Sequence, residues 1–336
     1  MEKKHLNQFE QDFLSEWPTQ RWQNERVIIA VSGGSDSVAL LRALRATAPS
    51  PNLLSIGHYN HKIRSTESDT DEQFVRELGN ELQIPVYVES PEPSQLDFAS
   101  KGEGLESAAR KLRYSFLTRT ANSIGARYVT TAHTRDDVVE TVLHNVFRGT
   151  GISGLAGIRR FRRISEALTL VRPLLSFSKS RITEYLADLG QSFRIDTSNA
   201  CDTFTRNRIR NRLLPLIESE FSNHARDSLI RLSNIAQDTE TVVGEYISQI
   251  IDSVVKFSPD RVHLDLKTTI RMSDPTRREV FLRIWRNQNW PLQQMSFEHW
   301  KRLSEFSANK EGGKISLPSG LIARKTDDRL EILVET

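Results

Sequence analysis

The chain has 336 residues, with 46 Lys plus Arg against 43 Asp plus Glu and a formal net charge of +3. That length suggests two or three domains, and so small a net charge means that any nucleic-acid surface must come from local clustering. A single cysteine, Cys201, excludes an intramolecular disulfide and a multi-cysteine zinc cluster, and the absence of a signal-peptide core or a long apolar window predicts a soluble cytoplasmic protein.

In chain order, residues 5–17 read as an amphipathic helix. Val27–Val31 is an apolar, β-branched run, the pattern of a strand buried on both faces. It enters Ser32–Gly33–Gly34–Ser35–Asp36–Ser37, and a helical pattern starts at Ser37. Leu53–His58 reads as a second strand, and Glu67–Leu82 as a helix with Phe74, Leu78 and Leu82 on one face. Pro85–Val88 is a third strand, Leu105–Ser123 a helix, Arg127–Thr130 a fourth strand and Asp136–Phe147 a helix. Such alternation predicts an α/β fold: a doubly wound, mostly parallel sheet that binds ligands at the carboxyl ends of its strands.

Gly149–Gly157 holds four glycines and predicts a flexible loop. A short strand, Leu168–Leu170, and a helix, Ser178–Leu189, follow. Beyond about residue 220 the pattern turns mainly helical, with one long helix over Arg226–Val255 and others near 275–288 and 296–307. The end reads as a β-hairpin, Lys314–Leu317 and Leu321–Arg324 about the turn Pro318–Gly320, with a last strand at Leu330–Val334. The expected domains are 1–220, a nucleotide-binding α/β domain, and 221–336, a smaller, mainly helical domain ending in a hairpin.

A strand, a glycine turn and a helix make an anion cradle, because the glycines admit phosphate oxygens to the N–H groups and the new helix presents its positive end. Ser32, Ser35 and Ser37 add hydroxyl donors, and Asp36 is a candidate metal ligand. The Walker pattern fails here because no lysine follows the glycines, and the dinucleotide pattern Gly-x-Gly-x-x-Gly is absent. SGGSDS instead resembles the PP-loop of the N-type ATP pyrophosphatases, which implies cleavage of ATP between its α and β phosphates.

Other chemistry clusters after the predicted strands. His58–Tyr59–Asn60–His61–Lys62–Ile63–Arg64 can contact a nucleotide or can be a solvated loop. Asp136, Asp137 and Glu140 open a helix as capping carboxylates or as a pocket for an ammonium group or magnesium. A zinc reading of His133, Glu140 and His144 lacks the His-Glu-x-x-His spacing. Glu106 and Arg110 are i,i+4 partners for a surface salt bridge, with Arg113 close behind. Arg206, Arg208, Arg210 and Arg212 stack in i,i+4 pairs as a solvated face or an RNA contact. Upstream, residues 145–181 hold eight Lys or Arg and one acid, Glu166, which favours RNA.

Taken together, SGGSDS, HYNHKIR, TAHTRDDVVET and DTSNACDTFTRNRIR, with Arg172–Pro173–Leu174–Leu175, resemble the tRNA(Ile)-lysidine synthetase family over roughly residues 20–220. Lys62, Thr134, Val138 and Thr197 depart from its usual Gly, His, Gln and Pro. The resemblance implies that ATP adenylates carbon 2 of the wobble cytidine of a CAU-anticodon tRNA(Ile), and that free L-lysine then displaces AMP. It implies Asp36, His133 and Arg113 in the chemistry, and Ser32, Gly33, Gly34, Ser35, Asp36, Ser37, His58 and Arg110 on ATP. It further implies magnesium on Asp36, lysine on Asp136, Asp137 and Glu140, and tRNA on Arg64, Arg206, Asn207 and Arg210. The 221–336 region looks like a small tRNA-binding domain. The length predicts no room for the extra C-terminal domain of some relatives. A homodimer is one expectation that the sequence leaves open.

Three rival readings were weighed. A PP-loop tRNA thiolase needs paired cysteines or an iron–sulfur cluster, against a single Cys201. An amide-forming synthetase needs an ammonia source that this chain does not evidently carry. A non-catalytic nucleotide-binding module explains the glycine loop but not the arginines or the acidic helix start.

Overall fold

Five of the predicted strands form the parallel part of a six-stranded sheet in the computed structural model, which describes residues 5–62, 65–92, 105–194, 205–309, 311–326 and 328–334. The strands are β1 (Arg26–Ala30), β2 (Leu54–Tyr59), β3 (Val86–Glu89), β4 (Ala126–Thr130), β5 (Phe161–Arg163) and β6 (Thr169–Val171). Their order is β3-β2-β1-β4-β6-β5. Every pair is parallel except β5 with β6. β5 is an exposed edge strand with arginine at two of its three positions, so no hydrophobic alternation marks it in the sequence.

Period-two alternation divides β1 between two cores. Val27 and Ile29 pack on one face with Phe13, Leu40 and Ile182, from the helices Gln8–Glu16, Ser35–Thr47 and Lys179–Asp188. Ile28 packs on the other with Phe116 and Leu117, from the helix Leu105–Ser123. Helices therefore cover both faces, as a parallel sheet requires. β1 lies between β2 and β4, so chain order reverses at β1/β4, and crevices at such reversals bind ligands beyond the strands' carboxyl ends.

The predicted loop at Gly149–Gly157 contains a short helix, Ile152–Leu155. The arginine-rich segment is not one regular helix: Thr205–Arg208 is α-helical, and Ile209–Leu213 widens to a π-helix. Asp196–Asn199, Cys201 and Arg64 lie outside the described residues.

The chain divides into two compact units, Met1–Gln237 and Asp238–Thr336, and the division falls inside the helix Ala225–Val254. The composition change near residue 220 marks the start of this helical stretch, not the limit of packing. In the second unit the hairpin belongs to a five-stranded antiparallel sheet, β7-β8-β11-β10-β9. These strands are β7 (Val255–Phe257), β8 (Arg261–Asp265), β9 (Gly313–Leu317), β10 (Leu321–Lys325) and β11 (Arg329–Val334). The first two are short, and the predicted helix Arg226–Val255 overruns only the first residue of β7. Trp285 is buried here with Trp290 and Trp300 edge-on to it, at 4.9 and 5.1 Å. Lys325, only 5% exposed, donates from Nζ to the carbonyls of Phe306, Ser307 and Asn309, so a cation closes the C-terminal end of the helix Phe297–Ala308.

Candidate active site

The chain leaves β1 through Val31 and turns at Gly33, whose φ of +95° lies in the region that only glycine adopts without strain. The turn is internally braced. Ser32 N donates to Ser37 Oγ at 3.1 Å, and Ser37 Oγ donates to the Gly34 carbonyl at 2.9 Å. Arg194 N donates to the Gly33 carbonyl at 2.9 Å. Gly34 begins the helix Ser35–Thr47, and no side chain caps it. Its leading amides are therefore available to an anion, and the helix dipole favours one there.

Asp36 stands in the first turn of that helix. Burial pushes its carboxyl up, against the pull of Lys179, whose Nζ lies 3.7 Å from Oδ2. Among the described residues no three His, Cys, Asp or Glu cluster as metal ligands. A lone carboxylate beside a phosphate cradle nevertheless fits magnesium, which takes one or two carboxylates and completes its shell with phosphate oxygens and water.

His58 ends β2 and is 4% exposed. Its Nδ1 pairs with the Val31 carbonyl at 2.8 Å, tying β2 to the start of the glycine turn. Nε2 has no hydrogen-bond partner, which leaves that atom for a ligand. Burial pulls the imidazole down, so it stays neutral.

β4 delivers the second half of the site. Past Thr131 and Ala132, half-buried His133 pairs through Nδ1 with Thr131 Oγ1 at 3.0 Å. Burial lowers its affinity for a proton, and Arg172, Arg110 and Arg113 lower it further against the attraction of Asp137. The helix Arg135–Phe147 then starts on a capping box: Thr134 N donates to Asp137 Oδ2 at 2.7 Å, and Asp137 N to Thr134 Oγ1 at 3.4 Å. Asp137 thus does the capping work expected of this acidic start. Burial raises its carboxyl, but Arg206, His133 and the Thr134 amide outweigh burial and hold it below the usual carboxylate range.

The predicted lysine-binding carboxylates and the predicted RNA-binding arginines meet each other. Arg206 Nε donates to Glu140 Oε2 at 2.7 Å, and its Nη2 to Asp137 Oδ1 at 2.6 Å. Arg210 Nε and Nη2 donate to Glu140 Oε1 and Oε2 at 2.5 and 2.8 Å. The arginine cluster is therefore not simply a solvated face, because two of its members turn inward. The π-helical turn follows the α-helical turn of Arg206 and carries Arg210 to the same carboxylate. Glu140, with both oxygens held by guanidiniums, is also a poor candidate for zinc.

Asp136 is held differently. Its Oδ1 accepts from Arg226 Nη1 at 2.7 Å and its Oδ2 from the Lys179 amide at 2.9 Å, so it cross-links three helices. Lys179 and Arg226 were missed as site residues, since nothing in their local pattern distinguishes them from surface cations.

The expected pair of Arg110 with Glu106 falls on a side chain outside the described ones; Arg110 stacks on Tyr114. Its Cζ lies 5.1 Å from the ring centroid, with Arg113 at 5.7 Å and Arg162 at 5.3 Å. Asn207 lies in the helical turn Thr205–Arg208 beside Arg206.

Residues 2–217 match the family model of the PP-loop domain. The chain is 30% identical over 326 residues to a tRNA(Ile)-lysidine synthase from Rhodopirellula baltica, covering 86% of this chain and 82% of that one. It is 34% identical over 281 residues to a tRNA(Ile)-lysidine synthase from Chlorobaculum tepidum, covering 83% of each. Against the longer tRNA(Ile)-lysidine synthase of Bacteroides thetaiotaomicron it is 36% identical over 242 residues, spanning 72% of this chain and 54% of that one. The fold is also similar to that of the U34-tRNA thiolase NcsA from Methanococcus maripaludis, with a TM-score of 0.55 at 16% identity, covering 68% of this chain and 78% of that one.

Proposed function

Since the chain belongs to the tRNA(Ile)-lysidine synthase family, with the PP-loop domain of ATP-using enzymes, we propose that it joins L-lysine to carbon 2 of the wobble cytidine of a CAU-anticodon tRNA(Ile). The observation that carries this reading is the convergence of the glycine turn and Asp36 with Lys179, Asp137 and Glu140 at the β1/β4 crevice. A phosphate cradle and a paired-carboxylate pocket then stand side by side, as a reaction joining an activated base to an amine requires.

In the first step the cytidine O2 attacks the α-phosphorus of ATP; the O2–P bond forms and pyrophosphate leaves. The turn Ser32–Ser37 holds the phosphates through its amides and hydroxyls, and Lys179 adds positive charge beside Asp36. Magnesium, held by Asp36 and phosphate oxygens, would neutralise charge on the leaving pyrophosphate.

In the second step the lysine ε-ammonium first gives a proton to a carboxylate of the pocket or to water; the freed amine attacks carbon 2, the C–O bond to phosphate breaks, AMP leaves with its electron pair, and the second proton of the new C–N nitrogen passes to water. Asp137 and Glu140 hold the amino acid through its ammonium groups. Asp137 stays ionised at neutral pH because Arg206 and the Thr134 amide stabilise its charge. Asp136, with both oxygens on protein donors, keeps the three helices in register. His133 remains a neutral imidazole fixed by Thr131, a hydrogen-bonding group for the reacting base.

Arg206 and Arg210 change partners in this scheme. Lysine takes carboxylate oxygens that the arginines hold, and the freed guanidiniums turn to RNA phosphate, which they fork as well as they fork carboxylates. ATP and tRNA meet in the cytoplasm, where this reaction belongs. The test is product analysis with all three substrates: AMP and pyrophosphate should form in equal amounts only when lysine and tRNA are both present. ADP with orthophosphate, or AMP release indifferent to lysine, would defeat the reading.

A further inference from the structure

Beside His133 lies a cavity of about 420 Å³. Its wall includes Arg110, Arg159, Arg162, Arg172, Arg206 and His133, and among the described residues no carboxylate lines it. That volume lies in the range of small-ligand pockets, ~300–1,000 Å³. Arg172 is 95% buried by its 5% exposure; its Nη1 donates to the Arg159 carbonyl at 2.6 Å, while its Nε has no hydrogen-bond partner. Among the described residues no carboxylate pairs with Arg162 or Arg172. Both instead gather with Arg110 about the phenol of Tyr114.

Positive charge dominates this space. Burial alone would raise the Tyr114 phenol, yet Arg110, Arg172 and Arg113 outweigh burial and lower it. The same arginines pull His133 down. Arg206 is already paired with Asp137 and Glu140, but burying a guanidinium such as that of Arg172 with no carboxylate beside it costs several kcal/mol, so this part of the cavity suits an anion that arrives from outside. Forked guanidiniums match phosphate oxygens.

The anion is not supplied by the glycine turn's own ligand. That phosphate cradle adjoins Asp36 and Lys179, and neither of these nor a residue of the turn is among the described lining of this cavity. We propose that the arginine-walled cavity receives a phosphodiester group of the RNA strand at the target nucleotide, with Arg162 and Arg172 as positioning residues. This rests on the reading of the chain as a tRNA-modifying enzyme and names where that RNA is gripped. The cavity sets the target base beside His133.

The test uses the full chain and a fluorescent RNA hairpin carrying the CAU anticodon stem-loop, with affinity read by anisotropy across a salt series. Arg162 is exposed on β5, so Arg162→Gln should fold normally. It should weaken hairpin affinity about tenfold and reduce the salt slope by about one. Arg162→Lys keeps the charge and should restore the slope, while ATP affinity stays unchanged in both. Arg172→Lys, which keeps the buried charge but loses the fork, should raise the KM for tRNA more than it lowers kcat.

Unchanged hairpin affinity and salt slope in Arg162→Gln would overturn the proposal. So would weakened binding of ATP or pyrophosphate with the hairpin unaffected, since the cavity would then serve the nucleotide's phosphates. The two readings fail separately. Wild-type protein that modifies tRNA while Arg162→Gln binds the hairpin normally defeats the cavity alone. Wild-type protein that grips the hairpin through Arg162 but transfers no lysine defeats the lysidine reading alone.

Discussion

Arg210 grips Glu140 with two parallel hydrogen bonds, Nε to Oε1 at 2.5 Å and Nη2 to Oε2 at 2.8 Å, and the Glu140 side chain is only 1% exposed. A carboxylate so deeply placed depends on its donors. Arg206 supplies a third contact, at 2.7 Å.

Removing Arg210 should therefore destabilise the fold without abolishing it, because Arg206 remains. Arg210→Ala should lower the unfolding free energy by about 1.5–3 kcal/mol, the cost of losing hydrogen bonds to a charged group. Urea titration at neutral pH reads this directly. A midpoint equal to the wild type's would show that the pair contributes nothing.

The same carboxylates should govern lysine. Asp137→Asn keeps the shape and most of the hydrogen bonds but removes the charge that attracts an ammonium group. The KM for lysine should rise about tenfold or more, corresponding to about 1.4 kcal/mol, while ATP affinity is unchanged. An unaltered KM for lysine would place the amino acid elsewhere.

Gly33→Ala should be costly for two reasons. A φ of +95° strains any residue with a Cβ, by roughly 1–2 kcal/mol. A Cβ there would also stand 3.3 Å from Arg194 Cγ. The variant should lose ATP affinity more than hairpin affinity, since the turn is the nucleotide's cradle. Equilibrium binding of both ligands separates the effects, and equal losses would argue for general unfolding.

Acid should weaken the protein through its histidines. Burial lowers His58 and His133, and lowers His61 to about 4. These imidazoles are neutral in the folded state, whereas the unfolded chain takes up protons below about pH 6.5. Stability should thus be full above that pH and fall as pH drops toward 4. Thermal melts across this window check it, and His61→Gln should flatten the slope. A melting temperature constant from pH 7 to pH 4.5 would contradict it.

The parallel sheet was legible because strand and helix patterns alternate along the chain, and because β1 is an apolar run that ends in the glycine motif. β5 was not legible, since an exposed edge strand reading Phe-Arg-Arg has no buried face to leave a pattern. That omission hid Arg162, which only β5's pairing with β6 brings to Tyr114. Asp137 and Glu140 could be found from their spacing at a helix start. Their partners could not, because Arg206 lies 66 residues from Glu140 and reaches it only through the tertiary fold. Local spacing placed Arg206 and Arg210 correctly beside each other but could not show that they turn inward.

The most direct measurement gives the protein ATP, isotopically labelled lysine and a CAU-anticodon tRNA, then digests the RNA to nucleosides. The account predicts label at the wobble position alone, lost when ATP is omitted or when Asp36 is changed to Ala. Intact tRNA without label, from folded protein that binds both ATP and the RNA, would contradict it.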